Sequence, residues 1–67
     1  MQKKIYVAGM FDDATAKKVD TAVRGVSGVT NVAANTAKAQ VLVDFNDGTS
    51  EDAIENAIKS TGVDVLN

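Results

Sequence analysis

The sequence predicts an α+β fold in which strands and helices follow one another in the order β-α-β-β-α-β. Three segments alternate between apolar and polar residues, which is typical of strands that bury one face. Two other segments repeat apolar residues at helical spacing, which is typical of helices packed on a sheet. With 67 residues in total, we expect a single domain over residues 1–67.

The first strand is predicted at residues 3–8. Ile5 and Val7 share one face, and we expect that face to be buried. Gly9 ends the strand, and a loop follows it.

The first helix is predicted at residues 14–25. Either Asp12 or Asp13 can cap it, because a short carboxylate accepts hydrogen bonds from the free backbone N–H groups at a helix start. Gly25 and Gly28 mark the place where the chain leaves the helix. Apolar residues at helical spacing form the expected buried stripe: Val19, Ala22, Val23 and Val26.

The second and third strands are predicted at residues 29–35 and 40–45, joined by a hairpin turn. The third strand alternates most clearly, with Val41, Val43 and Phe45 on the inner face. The second strand alternates weakly, and its core candidates are Val29, Val32 and Ala34.

The second helix is predicted at residues 50–61, and a short last strand at residues 63–66. Ser50 or Thr49 caps the helix, and acidic residues in the first turn favour its positive end. Gly62 stops it. Its expected buried stripe contains Ala53, Ile54, Ala57 and Ile58.

Each half of the chain is therefore a strand–helix–strand crossover, which should be right-handed. Two interleaved crossovers give the ferredoxin-like arrangement, a four-stranded antiparallel sheet with both helices on one face. We expect Tyr6, Ala33 and Leu42 on the opposite face. An uncovered apolar patch can mark a partner site, although isolated exposed apolar residues are ordinary.

Composition excludes several kinds of chemistry. The chain has no cysteine and no histidine, so it has no disulfide, no thiolate or imidazole metal site and no nucleophile pair that uses either residue. We expect no enzyme activity and no cofactor. The net charge of −2 disfavours nucleic-acid binding. No apolar run can span a bilayer or serve as a signal core, so we expect no membrane insertion and a cytoplasmic monomer.

Several short motifs resemble one known family when they are taken in order. Their order and spacing are similar to those of the heavy-metal-associated domain, the module of small copper chaperones and of the N-terminal tails of metal-transporting ATPases. The motifs are Val7-x-Gly9-Met10, then Gly28-Val29, then Val41-Leu42-Val43-Asp44-Phe45, and finally Ala57-Ile58 with Gly62.

The resemblance breaks down at the family's metal loop. In the family the Gly-Met pair is followed by x-Cys-x-x-Cys, and the two thiolates hold a soft metal. Here the cysteine positions are Asp12 and Thr15, and Val63 stands where a tyrosine is usual. A carboxylate and a hydroxyl do not supply the sulfur that Cu(I) prefers. The resemblance therefore implies the frame of a copper-handling module that has lost its soft-metal ligands.

Two hypotheses follow for the segment from Gly9 to Thr15. In the first, it docks an accessory module onto another domain of this family or onto a metal-transporting ATPase. In the second, oxygen ligands from Asp12 and Asp13 hold an unconventional metal ion, although helix capping also explains these acids. Met10 is also interpreted as core packing beneath the loop. The docking candidates are Met10, Phe11, Asp12, Asp13, Lys17 and Lys18.

Overall fold

The computed structural model describes residues 1–66, and its elements follow the predicted order. These elements are β1 (Gln2–Ala8), α1 (Asp13–Arg24), β2 (Val29–Asn35), β3 (Gln40–Phe45), α2 (Glu51–Lys59) and β4 (Asp64–Val65). The sheet order is β2-β3-β1-β4, and every neighbouring pair is antiparallel. The predicted ferredoxin-like fold is confirmed.

The hydrophobic core lies between the sheet and the two helices. Val19 and Val23 from α1 and Ile54 and Ile58 from α2 are fully buried, as their spacing predicts. Alternate residues of β1 and β3 meet them from the sheet. The buried set also contains Ile5, Val7, Met10, Val32, Val41, Val43, Phe45 and Val63.

A bulge explains the weak alternation of β2. The pairing of β2 with β3 shifts register between Val29 and Asn31. The extra residue reverses the parity of the strand, so Val29 before the bulge and Val32 after it both pack on the core. A strict period of two cannot describe such a segment.

The last helix and strand are shorter than predicted. The helix α2 ends at Lys59, after which the backbone N–H groups of Thr61 and Gly62 bond to carbonyls only three residues earlier and Gly62 takes a φ of 94°. The hydroxyls of Ser60 and Thr61 also donate to the carbonyls of Ala57 and Ile58, both at 2.6 Å. These bonds satisfy carbonyls at the helix end. The strand β4 keeps only two residues, since Val63 before it is buried in the core and not paired in the sheet.

Candidate functional site

The loop between β1 and α1 is anchored in the core by one side chain and exposes the next to solvent. Gly9 has a φ of 99°, a left-handed conformation that favours glycine. Met10 is 1% exposed and belongs to the core, whereas Phe11 is 88% exposed. The core interpretation of Met10 is therefore the correct one. Because its side chain is buried, it supports the loop and offers no side-chain surface to a partner.

Asp12 and Thr15 are joined by direct hydrogen bonds. Asp12 is the N-cap of α1, with extended backbone at φ −130° and ψ 166°. Its Oδ1 accepts from the backbone N–H of Thr15 at 2.8 Å. The Thr15 hydroxyl and backbone N–H both stabilise the carboxylate, and they hold the pKa of Asp12 below its usual value. Of the two possible caps, the structure selects Asp12, and Asp13 is the first residue of the helix.

The outer side of α1 next to this loop forms a shallow, largely apolar depression. It is lined by Ala14, Lys17, Lys18, Thr21 and Ala22. Sequence reasoning singled out the two lysines but gave Ala14 and Thr21 no role. It also placed Ala22 in the buried stripe, whereas Ala22 is half-buried and lines the depression. The available signal was their helical spacing, since positions 14, 17, 18 and 21 share one face. We call this depression, together with the exposed Phe11, Asp12 and Asp13, the loop–helix surface.

The lysines of the loop–helix surface differ from Lys3. Lys3 pairs with Glu51 at 2.9 Å and with Glu55 at 3.4 Å, which ties β1 to α2. Within residues 1–66, neither Lys17 nor Lys18 forms an ion pair, and both are exposed. Their charges are therefore available to a partner of opposite sign.

The family comparison agrees with this geometry. A model of the heavy-metal-associated domain matches residues 4–64, which is nearly the whole chain. This chain belongs to the heavy-metal-associated domain family. The chain contains no cysteine, and Asp12 and Thr15 follow the Gly9-Met10 pair at the spacing that the resemblance assigns to the family's cysteines.

Solved structures extend the comparison to three dimensions. The chain is 28% identical to a protein described as a CopZ metallochaperone, with a TM-score of 0.95, and the match covers 98% of this chain and 100% of that one. It is 23% identical to a copper-binding domain from HMA7, a P-type ATPase, with a TM-score of 0.87 over 98% and 93% of the two chains.

A third similar structure is the N-terminal domain of a potential copper-translocating P-type ATPase from Bacillus subtilis. It is 23% identical, with a TM-score of 0.88 over 96% of this chain and 81% of that one. At these identities the two ATPase domains show the fold alone. No curated protein matches this chain.

Asp12 and Thr15 do not supply the ligands that a soft metal ion prefers. Cu(I) sites in proteins are built from soft sulfur ligands, and Zn(II) sites almost always include thiolate or imidazole ligands; this heavy-metal-associated domain has no cysteine and no histidine. The oxygen-ligand hypothesis gains no geometric support either. Among residues 1–66, no three acidic side chains lie close enough to hold a metal ion together. Asp12 instead uses one carboxylate oxygen to cap the helix.

The sheet face opposite the helices carries a few apolar side chains, as expected. Tyr6 is 46% exposed, Ala33 is exposed and Leu42 is half-buried. A partner for this face stays a prediction. In the part of the chain that the structure describes, no helix has the length and apolar character needed to cross a membrane.

Proposed function

We propose that this heavy-metal-associated domain is an accessory, protein-docking module in copper handling that has lost the soft-metal ligands. Its partner is another domain of the same family or the N-terminal domain of a metal-transporting ATPase in the cytoplasm. The module works by binding and not by catalysis. The observation that supports the proposal is the Asp12–Thr15 hydrogen bond, which joins the two residues that the resemblance matches to the family's cysteines while the surface around them stays exposed.

The physical argument starts from the order of the loop. In a metal-binding member, the ion joins the two ligand positions of the loop. Here Asp12 and Thr15 are joined by hydrogen bonds, and Met10 anchors the loop in the core. A surface that is already ordered loses less conformational entropy when a partner binds. This module can therefore present its loop to a partner without metal.

The composition of the loop–helix surface supports a protein partner. Phe11 offers a large exposed apolar side chain, and exposed aromatic residues are frequent at the centre of protein interfaces. Lys17 and Lys18 flank the apolar depression and can steer a partner with acidic residues at the matching positions. An apolar centre with charges beside it is the usual arrangement of a transient interface.

The test is a nuclear magnetic resonance titration of the 15N-labelled chain with the N-terminal domain of a copper-translocating ATPase from the same organism. We expect concentration-dependent shifts confined to residues 9–22, both with and without Cu(I) on the partner. Phe11→Ala and the double charge reversal Lys17→Glu/Lys18→Glu should weaken binding. Lys4→Glu is the matched control, because Lys4 is an exposed lysine on a strand facing away from this surface.

Two results would contradict the proposal. One is a set of chemical-shift changes that lies outside residues 9–22, or a loss of binding for Lys4→Glu as large as that for Lys17→Glu/Lys18→Glu. The other is uptake of Cu(I) by this chain from a competing chelator at sub-micromolar concentration. The second result would restore metal carriage as the function in spite of the missing thiolates.

A further inference from the structure

The strand β2 forms a free edge of the sheet. It is the first strand in the order β2-β3-β1-β4, so among residues 1–66 only β3 pairs with it. Its seven residues, Val29–Asn35, include no charged residue and no proline. Natural proteins usually protect such an edge with charges, prolines or covering elements, because exposed backbone groups can pair with another strand. Here that protection must come from outside the strand.

Arg24 supplies it from the end of α1. Its guanidinium Nη2 donates to the backbone carbonyl of Val32 at 3.1 Å and to Oδ1 of Asn31 at 3.4 Å. Its Nε donates to Oδ1 of Asp20, one helical turn earlier, at 2.6 Å. Asp20 thereby holds the guanidinium over the strand. Arg24 is the only arginine in the chain.

The bond to Val32 also identifies which backbone groups face outward. In an antiparallel ladder, successive residues direct their N–H and C=O groups alternately towards the neighbouring strand and away from it. The Val32 carbonyl is bonded to a helix side chain, so Val32 and Ala34 are the residues that face the free edge. Ala33 between them faces β3, where it pairs with Leu42.

We propose that the Asp20–Arg24 pair shields the free edge of β2 from antiparallel pairing with a second copy of this chain. A two-fold axis at Ala33 would pair Val32 of each copy with Ala34 of the other through backbone hydrogen bonds. The uncharged strand offers no repulsion of its own to such pairing. The shield acts in two ways, because it occupies the Val32 carbonyl and would bring two like guanidinium charges together across the axis.

The first test measures self-association by sedimentation velocity across a wide concentration range. The wild type should stay monomeric, and Arg24→Ala and Arg24→Gln should self-associate at least about tenfold more tightly, a difference of about 1.4 kcal/mol. Lys59→Ala is the matched control, since it removes the same charge from the last turn of the other helix. Circular dichroism of each variant checks that the fold is intact.

The second test uses the absence of natural cysteines. In the proposed pairing, Ala33 faces its counterpart as a non-hydrogen-bonded pair with Cα atoms about 4.5 Å apart, which suits a disulfide. The Ala33→Cys variant should cross-link under mild oxidation much faster when Arg24→Ala is also present. Lys4→Cys, an exposed position on the central strand β1, should not respond to Arg24→Ala.

The proposal is overturned if Arg24→Ala and Arg24→Gln stay as monomeric as the wild type. It is also overturned if Arg24→Ala leaves the rate of Ala33→Cys cross-linking unchanged, or if Lys59→Ala promotes association to the same degree. Self-association without faster cross-linking at position 33 would place the contact elsewhere and would equally exclude the β2 edge.

Discussion

The two helices of this domain start with the same kind of cap, but only the cap of α1 belongs to the proposed docking surface. Asp12 begins α1 by accepting from the N–H of Thr15 at 2.8 Å, and Ser50 begins α2 by accepting from the N–H of Ala53 at 3.2 Å. The cap of α2 is ordinary helix chemistry. The cap of α1 joins the two residues that the resemblance matches to the family's cysteine pair.

Under the proposed function, the difference shows how a metal loop can be kept in shape without metal. A bound ion joins two ligand positions that are three residues apart. An N-cap joins the same two positions, because its side chain reaches the N–H group three residues later. Replacing one linkage by the other leaves the helix start and the loop in place. The family frame therefore persists while the soft-metal chemistry is absent.

The largest expected effect comes from reversing that replacement. In the double variant Asp12→Cys/Thr15→Cys, two sulfurs should lie close enough to bind one Cu(I) in a bent two-coordinate site, and the helix N-terminus should help keep them ionised. We expect tight one-to-one binding by the double variant only. The measurement is a competition titration with a Cu(I) chelator, with each single variant as control. A double variant that folds but binds no better than the singles would show that this is not a disabled metal loop.

The next largest effect concerns the hydrophobic core, on which the loop before α1 and the helix α2 both pack. Ile54→Ala, on the buried face of α2, and Met10→Ala, at the buried base of the loop, should each lower the free energy of unfolding by about 2–5 kcal/mol. Both side chains are at most 1% exposed. Such a loss is a large part of the stability of a small domain. Urea denaturation followed by circular dichroism measures it, and a negligible loss for Met10→Ala would mean that Met10 does not anchor the loop.

The smallest effect distinguishes the two caps by their response to pH. Ser50→Ala should lower the free energy of unfolding by about 0.5–2 kcal/mol, and this loss should not depend on pH because a hydroxyl does not titrate here. Asp12→Ala should also destabilise the domain, but its loss should depend on pH. The pKa of Asp12 in the folded state lies below its ordinary value of 3.8. Its contribution is therefore complete above pH 3.8 and disappears as the pH falls through the folded-state pKa.

Thermal melts of both variants and the wild type between pH 2 and pH 7 measure this difference. The gap between Asp12→Ala and the wild type should narrow as the pH falls, whereas the gap for Ser50→Ala should stay constant. Asp12→Asn is the control that keeps an acceptor oxygen without a titrating charge. A pH-independent gap for Asp12→Ala would mean that the carboxylate charge does not contribute to the cap.

Several parts of the fold were predictable because they depend on local pattern. The alternation in β1 and β3 and the stripes Val19 to Val23 and Ile54 to Ile58 each identify an element and its buried face. The bulge in β2 was not predictable, since an inserted residue leaves a pattern that resembles weak alternation. The end of α2 was also predicted too late, because the backbone tightens into three-residue turns at Thr61 and Gly62, so the helix ends ahead of the glycine that marks the stop.

At the candidate site, the sequence by itself determined which metal chemistry is absent, since a chain without cysteine or histidine has no thiolate or imidazole ligand. The sequence also determined the order of strands and helices, which together with the ordered motifs identifies the family. Only the tertiary structure decided that Asp12 and not Asp13 is the cap, that Met10 is buried, and that Arg24 reaches the edge of β2. The physical reason is that residue type limits possible chemistry, whereas contacts between distant segments depend on how the chain packs.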